Sequence, residues 1–300
     1  MDWYNLKDVT RKREGYMSLQ SELDELGKRI ASFHKPQPIT NEEWQAFADK
    51  TVVVLMAGGE SSRFSAVLDG TEAHKTAFEL PNGDTMIEMT LRMYRDAGIK
   101  KFVAAVSHNA RSIEARIGDG SSFGVEITYS HDPEHPVGKG GAVRHALENG
   151  SIPEDHNLIV VNPDDVVLNF PGSFPRYMCE AHIEGLKQGK LATAVLGTGQ
   201  ASPATGMMVK DNAVIDTQMY PFIPIPAHAG MTVFSPEVFP RFRELFSLEE
   251  KTDFESVLFP LLANENTLWS AGLTEGLWIA VNDLKSYKLF IKTLEEGGHI

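Results

Sequence analysis

Val52-Val53-Val54-Leu55-Met56-Ala57-Gly58-Gly59-Glu60-Ser61-Ser62-Arg63-Phe64 runs from a β-branched stretch into a loop of small residues, and Lys75 follows twelve positions after Arg63. Glycines let a backbone turn sharply and come close to a ligand, so the N–H groups of Gly58 and Gly59 can point at an anion. The Ser61 and Ser62 hydroxyls, the Arg63 guanidinium and the Lys75 ammonium add donors and positive charge. That combination suits a polyphosphate. A plain strand-to-helix turn is the competing reading, and it leaves Ser-Ser-Arg and the later lysine without a purpose. Two better-known phosphate motifs do not fit. Gly138-Lys139 and Gly189-Lys190 lack both the earlier glycine and the following Ser or Thr of a P-loop, and no G-x-G-x-x-G occurs.

A second candidate lies at Ile159-Val160-Val161-Asn162-Pro163-Asp164-Asp165, where an apolar run ends in two adjacent carboxylates. Open α/β sheets bind ligands at the carboxyl ends of their strands, and carboxylates there call for a cation. Mg²⁺ takes oxygen ligands from one or two carboxylates and completes its shell with substrate phosphates. His131, Asp132, Glu134 and His135 also gather histidines and acids. Pro133 and Pro136 keep them from lining one helix face, so they read as a loop and not as a metal centre. Asp283, taken alone, reads as a helix N-cap.

Positioning these residues requires strands that end where the loops begin. Short β-branched runs at 51–56, 101–106, 125–129, 157–161 and 191–196 alternate with helical periodicity at 85–97, 109–117, 139–148 and 174–187. This layout predicts an α/β fold: a Rossmann-like, mostly parallel sheet with helices on both faces. Residues 202–234, rich in proline and glycine, predict an added antiparallel subregion, and helices return at 236–262 and 284–295. At the other end Leu19, Leu23, Leu26, Ile30 and Phe33 form one helical stripe, ended by His34-Lys35-Pro36-Gln37-Pro38. Two heptads are short for a self-sufficient coiled coil, so packing against the body is expected ahead of dimerisation into a homo-oligomer. The reading is therefore a helical extension over residues 1–50 and a main domain over 51–300.

Composition narrows the partners. The 300 residues carry 28 Lys and Arg against 41 Asp and Glu, a formal charge of −13. That field repels nucleic acid and anionic membrane, so an anionic ligand must meet a locally basic pocket. Residues 1–50 hold 8 basic and 9 acidic side chains, which places the acidity in the main domain. One cysteine, Cys179, cannot close an intrachain disulfide and reads as a small buried hydrophobe. No apolar run is long enough to span a bilayer and no leader opens the chain, so a cytoplasmic protein is expected.

The loop at 57–63 resembles the opening motif of the nucleotidyltransferases that make nucleotide sugars, the sugar-1-phosphate nucleotidylyltransferases or NDP-sugar pyrophosphorylases. In that family a strand leads into Ala-Gly-Gly-x-x-(Ser/Thr)-Arg, and a lysine stands beyond it. The resemblance covers about residues 51–290. It implies that Ala57, Gly58, Gly59, Ser61 and Ser62 hold the triphosphate, that Arg63 meets the leaving pyrophosphate and that Lys75 steadies the reacting phosphates. Two departures stand out: Glu60 sits among the donors, and His74 occupies a position where the family usually has proline.

Pro136-Val137-Gly138-Lys139-Gly140-Gly141-Ala142 resembles the family's second element, a glycine-rich turn into a helix that lies against the nucleoside. The resemblance implies close approach of the base at Gly138, Gly140 and Gly141. The family commonly reads the base with a glutamine shortly before this turn, and His131 is the nearest equivalent. The resemblance also assigns a magnesium ion to Asp164, with Asp283 as its second acid. It places the acceptor between strands at 204–209 and 229–236, giving Gly206, Tyr220 and Gly230 as acceptor contacts. Here Met219-Tyr220-Pro221 replaces the usual Glu-Lys-Pro, so a neutral hydroxyl stands where the family has an ammonium.

The activity implied is transfer of a nucleotidyl group from a nucleoside triphosphate to a phosphorylated acceptor such as a sugar 1-phosphate, releasing pyrophosphate, with Mg²⁺ as cofactor. Arg63 and Lys75 are the catalytic candidates. Two alternatives compete: a glycosyltransferase that consumes a nucleotide sugar, and a non-catalytic module that senses a nucleotide or sugar on the same fold.

Overall fold

Six of the seven residues of strand β1 (Thr51–Ala57) are buried, the pattern of a strand covered on both faces. Its side chains alternate between two cores: Val53, Leu55 and Ala57 enter one, Val52 and Val54 the other. Each such side chain, fully buried, contributes about 1.5–3 kcal/mol. In the computed structural model, which describes residues 17–300, the remaining strands are β2 (Lys101–Val106), β3 (Glu126–His131), β4 (Asn157–Val161), β5 (Asp165–Leu168), β6 (Ala192–Gly197), β7 (Gln200–Ala201), β8 (Gly206–Lys210), β9 (Ala213–Gln218), β10 (Phe222–Ile223), β11 (Ala227–Phe234), β12 (Leu268–Leu273) and β13 (Leu277–Ala280).

Two compact units emerge, residues 35–196 with 228–300 and residues 17–34 with 197–227. The larger is built on a sheet ordered β12-β6-β11-β4-β1-β2-β3. β1 lies between β2 and β4, parallel to both, and β3 is parallel to β2. Parallel neighbours need crossovers, supplied by helices Met86–Asp96, Ala110–Ile117 and Gly138–Glu148. β11 enters antiparallel beside β4. The sequence expectation of a mostly parallel sheet with helices and an added antiparallel part is the architecture found.

Because β1, β2, β3 and β4 run the same way, their carboxyl ends open on one edge. Gly58 follows β1, Asp132 follows β3 and Asn162 follows β4. Past β4 the chain turns into β5, which pairs antiparallel with β13; Ala280 lies opposite Asp165 and Trp278 opposite Val167. The Val281 amide then donates to the Asp164 carbonyl at 2.8 Å. This pairing carries the segment before the last helix, Leu284–Glu295, to the edge where Asp164 stands. Cys179 is fully buried and its thiol is pushed up by that burial.

The smaller unit explains the helical stripe in the N-terminal region. Helix Leu19–Ile30 is capped by Ser18, and the Leu19 amide donates to Asp216 of β9 at 2.6 Å. Gln20 clamps β10 twice: its amide nitrogen donates to the Phe222 carbonyl and its oxygen accepts from the Phe222 amide, each at 2.9 Å. β8 and β9 form a hairpin turned at Asp211 and Asn212, both with positive φ. The helix thus packs on its own unit, with Leu19, Leu23 and Leu26 half-buried and Ile30 exposed. Among the described residues no helix is long and apolar enough to cross a membrane.

Candidate active site

A cavity of about 290 Å³ in the larger unit opens at the carboxyl edge of the sheet. Its walls include Gly58, Gly59 and Arg63 from the loop after β1, His74 and Lys75 beyond it, Asp132 after β3, Asn162 and Asp164 after β4, and Asn282 before the last helix. An adjoining hollow of about 210 Å³ is lined by Gly59, Glu60, Ser61, Ser62, Arg63, Lys75, Lys251 and Asn282. Three cations line that hollow with Glu60, while Lys139, Asp132, Asp164 and Asp253 line the rest of the cavity. In a protein with a charge of −13, this hollow holds an excess of cations, while the cavity as a whole is lined by as many acids as bases.

Lys75 lies at its centre. The Ser61 hydroxyl accepts the Lys75 backbone amide at 3.2 Å, which fixes the lysine to the glycine-rich loop. The Lys75 ammonium contacts the Asp164 carboxylate and donates to Asn282 Oδ1 at 3.0 Å. Arg63 Nη2 reaches the same Asn282 oxygen at 3.5 Å. Asp164, Asn282 and the Arg63–Lys75 region come together from three distant stretches of sequence. His74 is buried beneath them. Its Nδ1 accepts from the Thr76 amide at 3.3 Å, and its Nε2 is buried without a hydrogen-bond partner. Burial lowers its pKa to about 4, an effect Asp164 opposes, so this imidazole is neutral at pH 7.

Asp165 does different work from its neighbour. It accepts from Trp278 Nε1 at 2.9 Å and from Asn162 Nδ2 at 3.0 Å. Burial, and then the adjacent Asp164 charge, push its carboxyl above the usual range. It ties β5, β13 and the turn after β4 together behind Asp164. Gly230 makes room for it: with φ +71°, a Cβ there would lie 1.9 Å from Asp165 Oδ2. Gly230, expected at the acceptor, is a packing requirement in this structure.

Several other expected residues also sit elsewhere than expected. Asp283 does not line the cavity. It caps the last helix, accepting from the Ser286 amide at 2.8 Å in a reciprocal capping box, and those hydrogen bonds lower its pKa. Asn282, one residue earlier, takes the place facing Lys75. His131 stacks near Tyr129 and lies 3.4 Å from Glu114 at a separate cleft, so the residue after β3 that reaches the cavity is Asp132. Gly140 and Gly141 are buried against the protein itself. A Cβ on Gly140 would fall 2.2 Å from the Phe246 ring, and one on Gly141 2.6 Å from Val137 Cβ. Gly138 does line the cavity, with positive φ and the Thr252 backbone against it. Ala57 is fully buried at the end of β1. Gly206 and Tyr220 belong to the smaller unit, where Leu19 and Pro221 fill the space a Gly206 side chain would need.

The sequence reading missed Lys251, Asp253, Asn162 and Asn282. For Asn282 a signal existed: Asp283-x-x-Ser286 is a capping pattern that occupies the aspartate and leaves its neighbour available.

A family model for nucleotidyl transferases matches residues 52–296. The chain belongs to the nucleotidyl transferase family. No curated protein matches it as a relative, whereas 414 solved chains share its fold. Among them is a Bacillus anthracis protein described as a glucose-1-phosphate thymidylyltransferase, crystallised with sucrose. It is 17% identical, with a TM-score of 0.60, over 82% of this chain and 94% of the other. At that identity the likeness concerns the fold. The family's reaction class is nucleotidyl transfer.

Proposed function

We propose that this protein transfers a nucleotidyl group from a nucleoside triphosphate to a sugar 1-phosphate, giving a nucleotide sugar and pyrophosphate. The observation that carries this reading is the Lys75 ammonium, held between Asp164 and Asn282 beside the loop at Gly58–Arg63. That arrangement offers positive charge, backbone amides and hard oxygen ligands at one point, as a triphosphate undergoing substitution requires. The description of the Bacillus anthracis neighbour names glucose 1-phosphate, which makes hexose 1-phosphates the first acceptors to try. A buried lone thiol and a nucleotide substrate are in keeping with the cytoplasm.

In this reading an acceptor phosphate oxygen attacks the α-phosphorus. One P–O bond forms, the bridging bond to the β-phosphate breaks, and pyrophosphate leaves with the electron pair. The acceptor is already an anion, so no proton need be removed. The barrier lies in bringing two anions into line and in meeting the charge that builds as pyrophosphate departs. Arg63, at the open end of the loop, meets the β and γ phosphates; Lys75 meets the reacting phosphates; Gly58 and Gly59 offer backbone donors without side chains in the way.

Asp164 and Asn282 fit Mg²⁺: their oxygens converge on a single cation, the Lys75 ammonium, and both are hard donors. Among the described residues no group of three or more His, Cys, Asp or Glu forms a metal centre, so substrate phosphate oxygens and water would complete the shell. The ion supplies screening of phosphate charge when bound. The test is pyrophosphate release from the four common triphosphates with a panel of sugar 1-phosphates and Mg²⁺. Release that depends on both substrates is expected, and its absence from every combination would overturn the reading.

A further inference from the structure

Resting on that reading, the cavity also carries information about which base it accepts. The strand order β4-β1-β2-β3 puts Asp164 and Asp132 at the carboxyl ends of strands three places apart, a separation of about 14 Å at the usual strand spacing. The phosphate loop leaves β1 between them. A nucleotide with its phosphates at Arg63 and Lys75 therefore extends its base towards β2 and β3. The walls on that side are Met56, Gly58, Ala105, Pro136, Gly138 and Ala142. Met56 and Ala105 are register partners, and together these residues form a slot whose polar groups are Asp132, Asp253 and Lys139, the last with its ammonium paired to Glu255.

Asp253 is engaged, accepting the Lys139 amide at 2.9 Å at the start of helix Gly138–Glu148. Asp132 follows β3 directly, on the side towards which the base extends, and so is the carboxylate placed to read its edge. The Ser107 side chain and the Val137 backbone stand beside its carboxylate and favour its charged form. A carboxylate has about four acceptor positions, enough to take two donors from one base edge. Gly58 opens the approach: a Cβ there would stand 3.6 Å from Asp132 Oδ2 and 3.2 Å from Ser107 Cβ. Burial also raises the Asp132 pKa, the mark of a charge withdrawn from water.

An ionised carboxylate accepts and cannot donate, so it favours a base edge with two adjacent donors. Guanine has that edge in N1–H and N2–H₂. Adenine and cytosine place a ring nitrogen acceptor beside their amino group, and uracil and thymine flank one N–H with two carbonyls; each sets an acceptor against a carboxylate oxygen. We propose that Asp132 selects guanine, making GTP the nucleotide this site takes.

The experiment is calorimetric titration of the full-length protein with GTP, ATP, CTP, UTP and XTP in Mg²⁺ buffer, repeated on Asp132→Asn. The unaltered protein is expected to bind GTP roughly tenfold to a hundredfold tighter than the other four, the range of one bidentate base contact. The amide introduced by Asp132→Asn would offer one donor and one acceptor, the complement of xanthine, so the variant is expected to lose GTP preference and gain XTP. A variant that merely fails to fold cannot gain a ligand. Equal affinities, preference for another base, or an Asp132→Asn protein that still favours GTP would overturn the proposal and leave nucleotidyl transfer standing. Binding of none of the five, nor of dTTP, would overturn both.

Discussion

The Lys75 ammonium contacts the Asp164 carboxylate across 89 residues of sequence, in a pair whose side chains are largely buried. Asn282 Oδ1 shares the same ammonium. The pair joins the loop after β1 to the turn after β4, and it keeps a cation where a triphosphate's reacting end would lie. Breaking such a pair leaves the surviving charge without its partner in a site poor in water.

Lys75→Met is therefore expected to lower turnover by about a hundredfold or more, the loss typical of a preorganised electrostatic stabiliser. Its effect on triphosphate affinity should be smaller, because Arg63, the loop amides and Lys251 still hold the phosphates. Steady-state pyrophosphate release separates the two quantities. Turnover within about threefold of the unaltered enzyme, far short of that loss, would remove Lys75 from the catalytic role.

Asn282 and Asp283 give a sharper comparison because they are adjacent and do different things. Asp283 accepts from the Ser286 amide and hydroxyl at the start of the last helix, so Asp283→Ala is expected to cost about 1 kcal/mol of stability with turnover nearly intact. Asn282→Ala removes an oxygen that faces Lys75, and it should raise the Mg²⁺ concentration needed for half-maximal rate while leaving unfolding almost unchanged. Magnesium titrations and denaturant melts on both variants check this. The reverse pattern would return the metal to Asp283.

Local signals exposed much of this site in the sequence. The β1 run, the paired glycines, Arg63, Lys75 and Asp164 all lie at or beyond strand ends that hydrophobic periodicity marks, and the structure brings them to one cavity. What stayed hidden depends on contacts between distant residues. Gly140 resembles a ligand-contacting glycine until Phe246, over a hundred residues later, is seen against it. His131 and Asp132 differ by one position, and in extended chain one position reverses the side of the backbone a side chain occupies. Gly206 is pressed by Leu19 of helix Leu19–Ile30, a proximity no spacing rule contains.

His182 gives a prediction that is independent of the reaction. It lies in helix Phe174–Lys187, almost wholly buried, with Nδ1 3.0 Å from Thr193 Oγ1 and Nε2 without a hydrogen-bond partner. Burial lowers its pKa to about 3, whereas an unfolded chain holds histidine near about 6.5. Below that value the unfolded state gains a proton that the folded state refuses. The stability is thus complete above about pH 6.5 and declines as pH falls towards the folded value, by up to about 1.4 kcal/mol per pH unit. His74, lowered to about 4, adds a decline of the same sign. In His182→Gln one of these protons is gone, so the slope of unfolding free energy between about pH 6 and 4 should be shallower by close to one proton. Denaturant unfolding at a series of pH values measures the slope, and an unchanged slope would mean that His182 takes up its proton in the folded state.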